Sequence, residues 1–159
     1  MIKCTLESGR ETSFRHVTAD VIVLNEKNEI LLVKRAKNLT NGGKYVLPGG
    51  FVDRDETVRE AGVREVLEET GYAVEPFLLL RVADNPDRPQ EDRQNIAFIY
   101  VAKLKGGGKN LNDEVSEISW FGLDSIPDEN QFGFDHYGNI QLYLKYVKDK
   151  FALPIFGRI

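Results

Sequence analysis

Apolar positions fall along this chain in short runs broken by polar clusters, a spacing that predicts strands more often than helices. The run Ala19 to Leu24 is β-branched and apolar, Asn25 to Glu29 is polar and turn-prone, and Ile30 to Val33 is apolar again. This pattern predicts an antiparallel hairpin. After a glycine-containing polar loop from Asn38 to Lys44, Tyr45-Val46-Leu47 reads as a short strand entering Pro48-Gly49-Gly50. Two adjacent glycines there permit geometry, or a close approach, that a Cβ would forbid. Further strands are predicted at about Pro76 to Val82, Asn95 to Leu104 and Glu117 to Phe121. A long polar loop from Ala83 to Arg93 and a break at Gly106-Gly107-Gly108 separate them.

Two segments carry helical spacing. A helix over roughly Glu56 to Thr70 has Asp55 or Thr57 as its cap and Gly71 where a left-handed terminal residue is expected. A second, amphipathic helix is predicted near Asn139 to Lys150, with Ile140, Leu142, Tyr143, Leu144 and Val147 available for burial. Strands interleaved with two helices imply an α+β fold with a mixed sheet between helices. No internal repeat, low-complexity tract or linker divides the chain, so residues 1–159 are expected to form one domain.

Composition narrows the functional classes. The 159 residues are 42% hydrophobic and 29% charged, and no apolar run approaches the length of a membrane-spanning helix. The segment Met1 to Glu7 lacks the apolar stretch and small-residue site of a secretory signal, which predicts a cytoplasmic protein. Cys4 is alone, so neither a disulfide within the chain nor a thiolate zinc site is expected. A formal charge of -4 disfavours binding to nucleic acid and favours small ligands. A phosphorylated metabolite fits if a divalent cation and a few local arginines offset its charge.

The first predicted helix carries the candidate chemistry. At 100° per residue, Glu65, Glu68 and Glu69 fall within an arc of about 100°, which brings their carboxylates to one side. Like charges at this spacing oppose a helix by about 0.2–0.5 kcal/mol per pair. A bound cation would offset that repulsion, and a solvated charged face is the alternative. The same arc holds Val58, Ala61 and Gly62, while Val63, Val66 and Leu67 point elsewhere, so the helix is expected to be covered on more than one face with its acids bordering a cleft. Gly62 in mid-helix costs about 0.5–1 kcal/mol relative to alanine, tolerable if another backbone passes close by.

From Gly50 to Tyr72 the sequence reads G-x5-E-x7-R-E-U-x-E-E-x-G-U, with U a bulky apolar residue, and it resembles the Nudix box at every fixed position: Gly50, Glu56, Arg64, Glu65, Glu68, Glu69 and Gly71. Val66 and Tyr72 fill the U positions, the second unusual in being aromatic. Leu47-Pro48-Gly49-Gly50 and Ile118-Ser119-Trp120-Phe121 also look like Nudix domains, so the resemblance covers nearly the whole chain. It implies a Nudix-type α/β/α sandwich and a hydrolase that cuts a diphosphate linkage in a nucleotide-like substrate. It also implies that Glu65, Glu68 and Glu69, with the Gly49 carbonyl, bind Mg2+ or Mn2+, and that Arg64 and Glu56 orient those ligands. The proton acceptor in this family is a box glutamate or one on a later loop; Glu114, just beyond the triglycine, is the first candidate for the loop position and Glu117 the second.

The box fixes a reaction class and leaves the leaving groups open. The loop Asn85 to Arg93 and the segment Phe134-Asp135-His136 both resemble parts of ADP-ribose pyrophosphatases. Arg88 or Arg93 is then a phosphate contact and Phe134 or His136 a surface for a base, whereas His16 reads as structural. The alternative enzyme is a (d)NTP pyrophosphatase, and a non-catalytic nucleotide-sensing module is a third reading. The partner expected is a small nucleotide, with no nucleic acid and no membrane, and the family resemblance admits a homodimer.

Overall fold

A computed structural model describes residues 2–88 and 93–158. In chain order it holds β1 (Ile2–Thr5), β2 (Glu11–Phe14), β3 (Val17–Leu24), β4 (Ile30–Arg35), β5 (Tyr45–Val46), β6 (Gly49–Phe51) and α1 (Val58–Thr70). After these come β7 (Tyr72–Ala83), β8 (Ile96–Gly107), β9 (Val115–Phe121), α2 (His136–Asp149) and β10 (Ile155–Phe156). The main sheet runs β10-β7-β8-β3-β4-β5, with β6 joined to β3 and β9 to β4. It is mixed: β3 and β8 run parallel, as do β10 and β7, and the other pairs are antiparallel.

The alternation of side chains along β3 and β4 explains why both read as continuous apolar runs. Ile22, Leu24, Ile30 and Leu32 join one core with Ile140 and Tyr143 of α2. Val21, Val23, Leu31 and Val33 join a second core with Val66 of α1. A sheet covered on both faces buries every residue of its central strands, so no polar face marks the period of two. The predicted sandwich is what the chain forms.

Helix α1 is capped by Thr57 rather than Asp55. The Thr57 side chain accepts from the Glu60 amide and the Glu60 carboxylate accepts from the Thr57 amide, while Gly71 closes the other end at φ 72°. Gly62 faces side chains, not backbone: a Cβ there would lie 3.0 Å from Val21 Cγ2 and 3.5 Å from Ala19 Cβ. The glycine lets α1 settle onto β3. Leu67 is exposed, so the non-acidic side of α1 is only partly covered.

Three elements depart from the sequence-based expectation. Strand β7 begins directly after the α1 cap, because Pro76 sits at a shift in register with β8 where no ladder hydrogen bond is asked of it. Strand β8 runs through Gly106 and Gly107 and pairs them with Ala73 and Tyr72, so the triglycine extends the ladder instead of breaking it. A Cβ on Gly107 would sit 2.3 Å from the Gly71 carbonyl oxygen. Helix α2 starts at His136, and Val147, expected to be buried, is exposed on its outer side. Among the described residues, no helix is long and apolar enough to cross a membrane.

Candidate active site

Arg64 organises the acid face of α1. Its Nε and Nη2 donate to the two oxygens of Glu56 at 3.1 and 2.7 Å, and Nη2 also donates to the Phe51 carbonyl at 3.0 Å. Nη1 donates to Glu65 at 2.9 Å and to Glu68 at 3.2 Å. A planar guanidinium can make all these bonds at once; a lysine ammonium cannot. The hydrogen bond to Glu56, above all, holds Arg64 firmly in its charged form.

The three glutamates therefore hold different positions. Glu65 and Glu68 line a cleft of about 470 Å³, whereas Glu69 is buried beneath it and accepts the Gly49 amide at 3.1 Å. Burial pushes the Glu69 carboxyl up to about 8, with the charges of Glu65 and Glu114 adding to the effect and the Gly49 hydrogen bond opposing it. Burial likewise raises Glu65, against the pull of Arg64. As the side chains stand, no three acidic, histidine or cysteine groups of the described residues converge on one point, because Arg64 draws Glu65 and Glu68 while Gly49 holds Glu69. The helical spacing brings the acids to one side without converging their carboxylates.

The glycines anticipated at the entry to this site are needed for two separate contacts. A Cβ on Gly49, whose φ is 155°, would lie 2.2 Å from the Ala19 carbonyl oxygen. One on Gly50 would lie 2.5 Å from the Glu65 carboxylate. His136 fixes the same corner from α2: its Nδ1 accepts the Leu47 amide at 2.8 Å. Burial lowers the His136 pKa, so the neutral ring carries its proton on Nε2. The histidine thus has a packing and anchoring role, and it also lines the cleft.

The rest of the cleft brings together Arg88, Arg93, Glu114 and Phe134 from three separate segments. Arg88 is buried and grips Asp135 through Nη2 at 2.6 Å and Nε at 3.3 Å. Arg93 lies over the Phe51 ring at 5.4 Å, and His16 packs against the same ring at 4.7 Å. Pro89, Gln90, Glu91 and Asp92, part of the loop singled out in the sequence, lie outside the described residues. Glu114 is exposed on the rim, with its carbonyl held by the Ala36 amide at 2.8 Å. Glu117 is not in the cleft: it binds Lys34, Tyr45 and Ser119 on the outer strands.

Arg35 and Asp20 are among the cleft residues that the sequence did not single out. Arg35, at the end of β4, lies over the Phe134 ring at 5.7 Å, and its Nε donates to the Thr40 carbonyl at 2.8 Å. Among the described residues no carboxylate pairs with it, and its terminal amino groups have no hydrogen-bond partner. In the sequence it passes for an ordinary polar strand end. Asp20 is buried in β3, and the signal for it was available: a lone carboxylate inside the apolar run Ala19 to Leu24.

Hard divalent cations suit this donor set. Glu69 is a buried carboxyl with one amide donor, Glu65 is partly desolvated beside it, and Glu68 stands at the cleft rim, so carboxyl oxygens that a cation would draw into their charged form lie within one helical turn. A mixed sheet lies between two helices, and an arginine-braced acidic face of one of them borders a polar cleft. The chain belongs to the Nudix family, whose domain model matches residues 14–142. It is 37% identical over 124 residues to an ADP-ribose pyrophosphatase of Methanocaldococcus jannaschii, an alignment covering 78% of this chain and 70% of the relative. It is 39% identical over 111 residues to a putative 8-oxo-dGTP diphosphatase of Bacillus subtilis, covering 69% and 68%. Its fold matches the crystal structure of an ADP-ribose pyrophosphatase from Streptococcus suis with a TM-score of 0.72 at 25% identity, covering 90% and 99% of the two chains.

Proposed function

We propose that this chain hydrolyses the diphosphate linkage of a nucleoside diphosphate joined to a second moiety, with an ADP-ribose-like substrate favoured and Mg2+ or Mn2+ required. The observation that carries the reading is the placement of Glu65 and Glu68 on the wall of a cleft whose other walls hold Arg35, Arg88 and Arg93. Acids to hold a cation and arginines to meet phosphate oxygens face one space.

In this reading Glu65, Glu68, Glu69 and the Gly49 carbonyl hold the ion, while Arg64 and Glu56 fix the acid side chains that do so. When bound, a divalent ion offsets phosphate charge and lowers the pKa of water at the site. Glu114, on the rim and near enough for its charge to raise Glu65 and Glu69, is in this reading the group that accepts the proton from water. Arg88, anchored by Asp135, and Arg93 supply positive charge to the diphosphate, and Phe134 offers its ring to a base. The relative named for ADP-ribose supports this substrate class. The second reading, a (d)NTP pyrophosphatase, is favoured by the relative named for 8-oxo-dGTP.

Purified protein with Mg2+ and a panel of ADP-ribose, other nucleoside diphosphate sugars, dinucleoside polyphosphates, NADH and (d)NTPs tests both readings. AMP with ribose 5-phosphate is the expected product pair. Nucleoside monophosphate with pyrophosphate would support the second reading instead. Addition of Mg2+ should also raise the melting temperature of the wild type, and that rise should shrink in Glu69→Gln.

A further inference from the structure

Asp20 is a buried acid whose charge bears on His136 and Arg81 and whose side chain also borders the cleft. Along β3, Ala19 and Val21 turn toward α1, where they meet Gly62. The alternation of the strand therefore sends Thr18 and Asp20 to the opposite face, where both border the cleft. Asp20 is only 7% exposed, its carboxylate is given no hydrogen bond by the described residues, and its oxygens keep an opening onto the cleft. The nearest polar group, His136 Nε2, is 3.7 Å from Oδ2. The ring is not free to close that gap, because its Nδ1 holds the Leu47 amide at 2.8 Å.

A carboxylate so nearly buried keeps little of its hydration, and a ligand in the cleft can supply the missing donors. The ligand group must donate, since an ionised carboxylate only accepts. It must also be uncharged or cationic, because a phosphate placed against Asp20 would be repelled. A divalent ion does not fit, since the side chain beside Asp20 is His136, whose Nδ1 is taken by the Leu47 amide and whose Nε2 carries the proton. A vicinal diol does: its two O–H groups match the two oxygens of one carboxylate, the same chemistry by which acidic residues hold the ribose of dinucleotides.

We propose that Asp20 accepts the hydroxyls of a ribose in the substrate and makes the enzyme discriminate ribosyl from 2-deoxyribosyl compounds. The proposal rests on the cleft being the diphosphate-hydrolysing site and names which sugars that site takes. Loss of a hydrogen bond to a buried charged acceptor leaves the acceptor unpaired, so the discrimination is large.

The test compares kcat/KM for ADP-ribose, its analogue with 2′-deoxyadenosine and its analogue with 2-deoxyribose at the distal sugar; the two analogues separate the two possible riboses. Wild-type enzyme should prefer ADP-ribose over at least one analogue by about 10- to 100-fold. In Asp20→Asn and Asp20→Ser that ratio should fall to within about threefold, the loss lying mainly in the KM of ADP-ribose. A wild-type ratio near one, or a ratio unchanged in both variants, overturns the proposal. Should neither variant fold, calorimetric binding of AMP against 2′-deoxy-AMP, and of ribose 5-phosphate against its 2-deoxy form, to the wild type gives the same answer. An enzyme inactive on ADP-ribose but active on nucleoside triphosphates would remove the substrate reading alone; the ratio of GTP to dGTP would then decide the role of Asp20.

Discussion

Asp135 takes two guanidinium groups on one carboxylate: Arg88 Nη2 reaches Oδ1 at 2.6 Å and Arg81 Nη1 reaches Oδ2 at 2.9 Å. Arg81 is itself buried and donates through Nε and Nη2 to the Gly157 carbonyl, at 3.0 and 2.7 Å. One acid at the N-terminal end of α2 thus ties the cleft loop to the far strand of the sheet.

This relation sets an acid limit on stability. Burial would raise the Asp135 carboxyl, but the Arg88 hydrogen bond and charge, with His136 and Arg81, outweigh it and hold the group at about 2. A carboxyl lowered on folding stabilises the protein above its ordinary value of 3.8, and that contribution is lost as pH falls toward about 2. It amounts to about 2 kcal/mol. Asp135→Asn, which leaves two buried arginines without their acid, should cost about 3–5 kcal/mol at neutral pH and flatten the fall in melting temperature between pH 4 and pH 2. Thermal melts of both proteins across that range measure it, and parallel curves would contradict the assignment.

Gly49→Ala and Gly50→Ala should fail in different ways. At Gly49 the new Cβ meets the backbone carbonyl of Ala19, which cannot swing aside, so a loss of about 3 kcal/mol or more is expected. At Gly50 it meets the movable end of Glu65, so the fold should survive while activity drops by 10-fold or more. Melting temperature and kcat measured together separate the two.

Glu68→Gln and Glu69→Gln should each lower Mg2+-dependent turnover by orders of magnitude with circular dichroism unchanged. Arg64→Lys keeps the charge but breaks the paired hydrogen bonds to Glu56, and a loss of about 10- to 100-fold is expected. Near-normal rates in both glutamate variants would remove the acid face of α1 from the chemistry.

His136→Phe keeps a planar ring, though a larger one, and removes the acceptor of the Leu47 amide. An unsatisfied buried N–H costs about 1–3 kcal/mol, which urea denaturation would show as a lower midpoint. A variant as stable as wild type would mean that the Leu47 amide finds another partner.

Much of this molecule was legible in its sequence because the relevant signals are local. The turn joining β3 to β4, α1 with its glycine stop, and the box from Gly50 to Tyr72 are each written in adjacent residues. Strand ends were harder. Pro76 reads as a strand start because nothing in the sequence shows the register shift that accommodates it, and the triglycine reads as a break because its partner, Gly71, lies more than thirty residues away. Strands β1, β2, β6 and β10 were missed altogether; each is four residues or fewer. The cleft divides in the same way. Glu65, Glu68 and Glu69 announce themselves by spacing, whereas the Asp135 anchor for Arg88 and the placement of Arg35 over Phe134 depend on chain segments that meet only after folding. That Glu117 faces away from the cleft also follows from pairing, since β9 lies along β4 and turns it toward Lys34.

The seam at Gly49 has a consequence for how such a protein can diversify. On one side it touches the backbone of the central strand, and on the other it holds the acid buried under the reactive face, so interior and chemistry are separated by the thickness of a single residue. Innovation is squeezed out of that region. New specificities must be written in the peripheral segments around Arg88 and Phe134, and grafting those segments from a relative should redirect the enzyme while its engine keeps running.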